Sequence, residues 1–130
     1  MSWDTEDATP LAGRKVLVVE DQYLIADDLC RMVEQLGGQV LGPTSRLSSA
    51  LAALEAEPPD LALLDVNLGE ETVYPVAAAL QAAGIPFLFT TGYDAAVIDT
   101  RFAAAPHLAK PIGQGLLGEA ARRLLNGRGH

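Results

Sequence analysis

The feature that most constrains this chain is a set of short apolar runs that do not alternate with polar residues. Val16-Leu17-Val18-Val19 is such a run, and Leu61-Ala62-Leu63-Leu64 repeats it. A strand with one wet face alternates apolar and polar positions. A run without polar positions is expected where both faces are covered. Ile85–Thr90 reads as a further strand, and His107–Ala109 as a brief fifth after Pro106. Gln39–Gly42 is a weaker second strand that Pro43 is expected to end.

Between these runs lie segments of helical period. Ile25, Leu29, Met32, Val33 and Leu36 form one stripe, stopped by Gly37-Gly38. Leu47, Leu51 and Leu54 form the next, with Thr44 or Ser45 as its cap and Pro58-Pro59 after it. Thr72 is placed to cap a third helix, with Pro75 in its first turn, Val76, Leu80 and Ala83 as its stripe, and Gly84 after it. A short helix from about Asp94 to Phe102 is expected to be the fourth. The fifth is expected over Ile112–Asn126, with Ile112, Leu116, Ala120 and Leu124 inward. Five strands alternating with five helices predict an α/β, doubly wound five-stranded parallel sheet, for which 2-1-3-4-5 is the natural order.

The length of 130 residues suits one domain. Residues 1–13 read as a loose leader, 14–126 as the domain and 127–130 as a tail. Trp3 in the leader reads as an anchor on its own domain or a partner contact. Seventeen acidic and nine basic residues give a net charge of −8, which opposes binding to nucleic acid and to anionic membranes. A lone Cys30, expected in or near the core, excludes an internal disulfide, and two histidines make a poor zinc site. The polar start lacks the basic-then-apolar pattern of a secretory signal, so a cytoplasmic protein is expected.

Polar residues cluster at the expected carboxyl ends of strands. Glu20 and Asp21 follow the first strand, Asp65 the third, Thr91 the fourth and Lys110 the fifth. In the 2-1-3-4-5 order the ligand crevice lies between strands 1 and 3, so Asp21 and Asp65 face it together. Clustered acids raise one another's pKa, and a hard divalent cation such as Mg²⁺ relieves that repulsion. Asp65 is then a candidate nucleophile towards a phosphoryl group, with Lys110 and Thr91 available to its oxygens.

These residues resemble the receiver domains of two-component response regulators. The resemblance rests on Val18-Val19-Glu20-Asp21, Leu63-Leu64-Asp65-Val66-Asn67, Thr91-Gly92 and Lys110-Pro111, and covers roughly residues 14–126. It implies a flavodoxin-like receiver fold and an Asp65 that accepts phosphate from a histidine kinase or phosphotransfer protein. It implies Mg²⁺ held by Asp21, Asp65, the Asn67 carbonyl and, through water, Glu20. Thr91 would be the switch hydroxyl, Lys110 the phosphate-binding lysine, and Lys110-Pro111 a cis peptide. Such a protein is no enzyme on external substrates, but promotes its own phosphorylation and dephosphorylation. Phe87-Leu88-Phe89-Thr90-Thr91-Gly92-Tyr93 is similar to the fourth-strand motif of the single-domain group called FATGUY, associated with kinases of the HWE type. Thr90 stands where that motif has alanine.

Receivers usually carry an aromatic residue three positions before the lysine, and here that position is His107. His107 would rotate as the aromatic does, sense pH, or be a plain surface residue. Tyr93 is placed to take over part of the switch or to control water access, or is simply half-buried. Tyr74 reads as helix-face packing. Glu70 and Glu71 read as partners of the third helix's N-terminal dipole or as a repulsive fence.

Because no DNA-binding helix pair follows, output is expected through a partner protein. Its surface would be the face of the fourth helix, fifth strand and fifth helix, also a plausible contact for a weak homodimer. The nearest alternative is a phosphate sink or relay carrier without an output face. A scaffold that is never phosphorylated sits poorly with a complete set of site side chains. A small phosphatase would want a second aspartate two residues past Asp65, where Asn67 stands. A flavodoxin-type cofactor binder would find Glu20-Asp21 repelling its phosphate.

Overall fold

The computed structural model describes residues 9–92 and 98–128. Its elements in chain order are β1 (Lys15–Val19), α1 (Tyr23–Gln35), β2 (Gln39–Thr44), α2 (Leu47–Ala56) and β3 (Leu61–Asp65). There follow a small hairpin of β4 (Asn67–Leu68) and β5 (Glu71–Thr72), then α3 (Tyr74–Ala82) and β6 (Phe87–Thr91). A 3₁₀ turn (Thr100–Phe102), β7 (His107–Ala109) and α4 (Gln114–Arg128) complete the described chain.

The main sheet has the order β2-β1-β3-β6-β7, and its strand pairs are parallel. With the hairpin set aside, this is the expected 2-1-3-4-5 order. Every residue of β3 and β6 is buried. The apolar runs work as predicted because alternate residues feed two cores. Leu17, Val19, Ala62, Leu64, Phe87 and Phe89 pack with α2 and α3 on one face. Val16, Val18, Leu61, Leu63 and Leu88 pack with α1 and α4 on the other.

Several local expectations are corrected. Pro43 does not end the second strand, which runs on to Thr44 past a register shift opposite Leu17–Val19. β2 lies at the sheet edge, where a residue without an N–H is tolerated. Neither Thr44 nor Thr72 caps a helix. Thr44 closes β2 and Thr72 pairs with Asn67 across the hairpin, while Arg46 and Val73 occupy the N-cap positions without side-chain caps. Ala83 is exposed, and Ala77 buries beside Val76 and Leu80 instead.

Four α-helices and one 3₁₀ turn stand among the described residues, rather than five helices. The expected fourth helix falls partly on residues 93–97, outside the described residues, and its described end is the turn Thr100–Phe102. The last helix begins at Gln114 and turns a different stripe inward. Leu117, Ala121 and Leu125 are buried, while Leu116 is 63% exposed. Residues 9–13 are not loose: Leu11 is buried, its N–H donates to Leu36 O at 3.0 Å, and Gly38 makes room for it. Trp3 lies outside the described residues.

Candidate functional site

β1, β3 and β6 end side by side, so their last residues meet above the sheet. The register places Val19 beside Leu64 and Asp65 beside Thr90. Glu20 therefore leaves β1 next to Asp65, and Thr91 stands one residue beyond Asp65's neighbour. β7 pairs with β6, and the Lys110 N–H donates to Thr91 O at 2.8 Å, which returns Lys110 to the same edge. Lys110–Pro111 is cis, as the resemblance implied.

The side chains converge accordingly. Lys110 Nζ lies 2.8 Å from Glu20 Oε1 and 3.3 Å from Asp65 Oδ1. Glu20 has no exposed side-chain surface, and its Oε2 accepts the Gln22 N–H at 3.0 Å. Asp65 and Thr91 are buried, and Asp21 is exposed at the rim. The Thr91 hydroxyl donates to Leu108 O over a long 3.4 Å. Asn67 is exposed at the start of the hairpin, two residues past Asp65.

The electrostatics follow from this crowding. Burial, then the charge of Glu20 and a hydrogen bond with it, push the Asp65 carboxyl up to about 7, against the pull of Lys110. Burial pulls the Lys110 ammonium down, yet Glu20 and Asp65 together hold it above its ordinary value. One oxygen each from Glu20, Asp21 and Asp65 lie within 4.8 Å of one another. Three carboxylates facing one ammonium leave an excess of negative charge, and a hard divalent cation fits such an oxygen set. The group could therefore hold a metal ion.

The structure thus brings together Glu20, Asp21, Asp65 and Lys110, with Thr91 at the end of the neighbouring strand. His107 is exposed on β7 and is set apart from this cluster by its place at the opposite end of that strand. Tyr93 lies outside the described residues. Sequence reasoning missed Gln22 and Leu108, which act through backbone N–H and C=O groups that side-chain identities do not reveal. It also missed that Lys110 pairs with Glu20 as well as Asp65.

A family model described as "Response regulator receiver domain" matches residues 16–122. The chain is a response regulator receiver domain. This places it among the two-component proteins. Among solved structures, the receiver resembles SdrG from Sphingomonas melonis Fr1, with a TM-score of 0.79 and 40% identity, covering 90% of this chain and 98% of that one. It is also similar to the response regulator PhyR from Brucella abortus, with a TM-score of 0.79 and 25% identity over 98% of this chain and 54% of PhyR. The positive alginate biosynthesis regulatory protein of Pseudomonas aeruginosa is 33% identical over 113 residues, 83% of this chain. The transcriptional regulatory protein PdtaR of Mycobacterium tuberculosis is 28% identical over 95 residues, 72% of this chain. The receiver spans 46% of the length of each of these two curated relatives. Among the described residues, no helix is long and apolar enough to cross a membrane.

Proposed function

We propose that this receiver accepts a phosphoryl group on Asp65 from the phosphohistidine of a histidine kinase or phosphotransfer protein, and signals through a partner protein. The observation that carries the reading is the Asp65 carboxylate sharing Lys110 with Glu20, with Asp21 at hand beside them. Asp21, Asp65 and the Asn67 carbonyl would hold Mg²⁺, with Glu20 acting through water. Bound Mg²⁺ would offset the charge of the carboxylates and of the incoming phosphoryl oxygens.

In the transfer, an Asp65 carboxylate oxygen forms the new bond to phosphorus while the bond from phosphorus to the donor's imidazole nitrogen breaks. The nitrogen keeps the electron pair, and an acyl phosphate results. Lys110 stays beside the phosphoryl oxygens as a fixed positive charge, and Thr91 turns its hydroxyl from Leu108 O towards them. Water attack on phosphorus later returns Asp65 and inorganic phosphate.

The donor has room to approach. A cavity of about 570 Å³ beside Lys110 is lined by Gln22, Ile25 and Met32 of the α1 region and by Pro111 and Ile112. Tyr23 and Leu24, at the start of α1, are exposed. A donor kinase of the HWE type suits the motif on β6, and the face of β7 and α4 suits an output partner.

Mixing the purified protein with Mg²⁺ and acetyl phosphate, and reading its intact mass, tests the assignment. A single metal-dependent phosphoryl adduct is expected, absent from Asp65→Asn. An adduct that persists in Asp65→Asn would overturn it. So would a wild-type chain that neither forms the adduct nor binds beryllofluoride with Mg²⁺.

A further inference from the structure

We propose that Tyr74 is a positioning residue for this site, its hydroxyl fastening the segment that leaves Thr91 to the segment that leaves Asp65. The inference rests on the reading of Asp65 as the phosphoryl acceptor and goes beyond it.

Two limbs of chain depart from the site. On the first, Val66 follows Asp65, its carbonyl accepts the Val73 N–H at 3.0 Å, and Tyr74 comes next. On the second, β6 ends at Thr91, and Asp99 lies eight residues further along, just ahead of the 3₁₀ turn Thr100–Phe102. The Asp99 N–H donates to the Tyr74 hydroxyl oxygen at 3.0 Å. At the site itself the Val66 N–H reaches Thr90 O over a long 3.4 Å, where the β3–β6 ladder ends. The Tyr74 bond therefore ties the start of α3, eight residues past Val66, to the chain just ahead of the 3₁₀ turn.

The ring of Tyr74 reinforces this. It stacks on Phe102 at 5.6 Å and 13°, and meets Phe89 edge-on at 6.1 Å. Phe89 stands two residues before Thr91 on the same face of β6. The Asp99 side chain accepts the Arg101 N–H at 2.9 Å and pairs with the Arg101 guanidinium, which fixes the turn that Phe102 closes. Tyr74 thus touches β6 ahead of Thr91 and the chain beyond it. His107, at the position where receivers usually carry an aromatic residue, is exposed. A phosphoryl group on Asp65 draws the Thr91 hydroxyl off its long bond to Leu108, and Tyr74 sets how far the strand end follows.

Tyr74→Phe keeps the ring and removes the hydroxyl. Asp99→Pro removes the bond from the donor side, at a φ of −50° that proline tolerates, and Asp99→Ala keeps the N–H while removing the side chain. The full chain is titrated with beryllofluoride and Mg²⁺ while the amide signals of residues 99–102 are followed. Lifetime of the acetyl phosphate adduct is read by mass. In wild type the Asp99 amide is expected to shift on titration. In Tyr74→Phe it is expected to be displaced before titration and to respond less. Because the bond already stands in the free chain, only its strengthening as the site fills counts, and a gain of about 1 kcal/mol predicts a beryllofluoride affinity about fivefold weaker in Tyr74→Phe and an adduct about fivefold shorter-lived. Asp99→Pro is expected to follow Tyr74→Phe, and Asp99→Ala, which loses only the pairing with Arg101, to weaken binding less than either. Affinity and lifetime within twofold of wild type in both Tyr74→Phe and Asp99→Pro would overturn the inference and leave Asp65 as acceptor. A wild-type chain indistinguishable from Asp65→Asn in both readouts would overturn both.

Discussion

Glu20 carries a burden that its position in the sequence does not announce. Its carboxylate has no exposed side-chain surface, and its countercharge comes from Lys110, on a different strand end. Sequence reasoning placed both residues at the crevice, because strand ends can be read from apolar runs. It did not reveal their pairing, which depends on how far Lys110 reaches across β6. Removing one partner of a buried pair leaves the other charge stranded, at a cost of about 3 kcal/mol. Lys110→Met and Glu20→Gln are each expected to destabilise the metal-free protein in urea titrations, and their double variant to lose less than the sum. Simple additivity would show that the two are not coupled. Asp65 adds a pH dependence of definite sign. Its carboxyl is raised from 3.8 to about 7 in the folded chain. Both folded and unfolded chains hold the proton in acid below this window. Within it only the folded chain does, so Asp65's contribution to stability falls as pH rises and is fully lost above about 7. Mg²⁺ bound there would replace that proton, so its affinity should rise across the same window. Urea titrations in chelator from pH 4.5 to 8 check the first point: wild type should lose more stability with rising pH than Asp65→Asn. Parallel curves for the two would contradict the burial of that charge.

At the scale of elements, β1, β3 and β6 were the most legible parts, because a strand covered on both faces leaves no polar position to confuse it. The hairpin of β4 and β5 was not legible, since two-residue strands carry no period. The inward stripe of α4 misled for a different reason. Its sequence repeats apolar pairs, Leu116-Leu117, Ala120-Ala121 and Leu124-Leu125, so two phases one residue apart fit a helical period equally well. Packing against α1 and the leader decides between them. Gly118 lets Leu36 approach closely, with a Cβ there meeting Leu36 at 3.3 Å, and this turns the 117–121–125 phase to the core. Two substitutions separate the phases. Leu117→Ala should cost about 3 kcal/mol, as truncation of a buried leucine does, whereas Leu116→Ala should stay within about 0.5 kcal/mol. Paired thermal melts of the two variants are enough, and equal losses would restore the stripe through Leu116.

For the whole molecule, the sheet order makes the site and the charge balance one problem. A parallel doubly wound sheet brings strand ends together at one edge, and this chain places Glu20, Asp21 and Asp65 there while carrying −8 overall. The fold is thus assembled against the repulsion of its own site. Any cation that binds the folded cluster and not the unfolded chain draws the equilibrium towards the native state. At a hundredfold excess over its dissociation constant, Mg²⁺ should add about 2.7 kcal/mol, or roughly 10 °C in melting temperature for a domain of this size. Screening of the net charge by salt must be set apart from site binding, so melts are compared in chelator, in MgCl₂ and in choline chloride of matched ionic strength. Asp21→Asn supplies the sharper control. Asp21 is exposed, so the substitution should leave the chelator melt close to wild type while removing one carboxylate from the cluster. A Mg²⁺ response cut to a small fraction in Asp21→Asn, with choline inert in both proteins, would locate the stabilisation at the cluster. An undiminished response in Asp21→Asn would assign it to diffuse screening, and Mg²⁺ would lose its place in the proposed chemistry of Asp65.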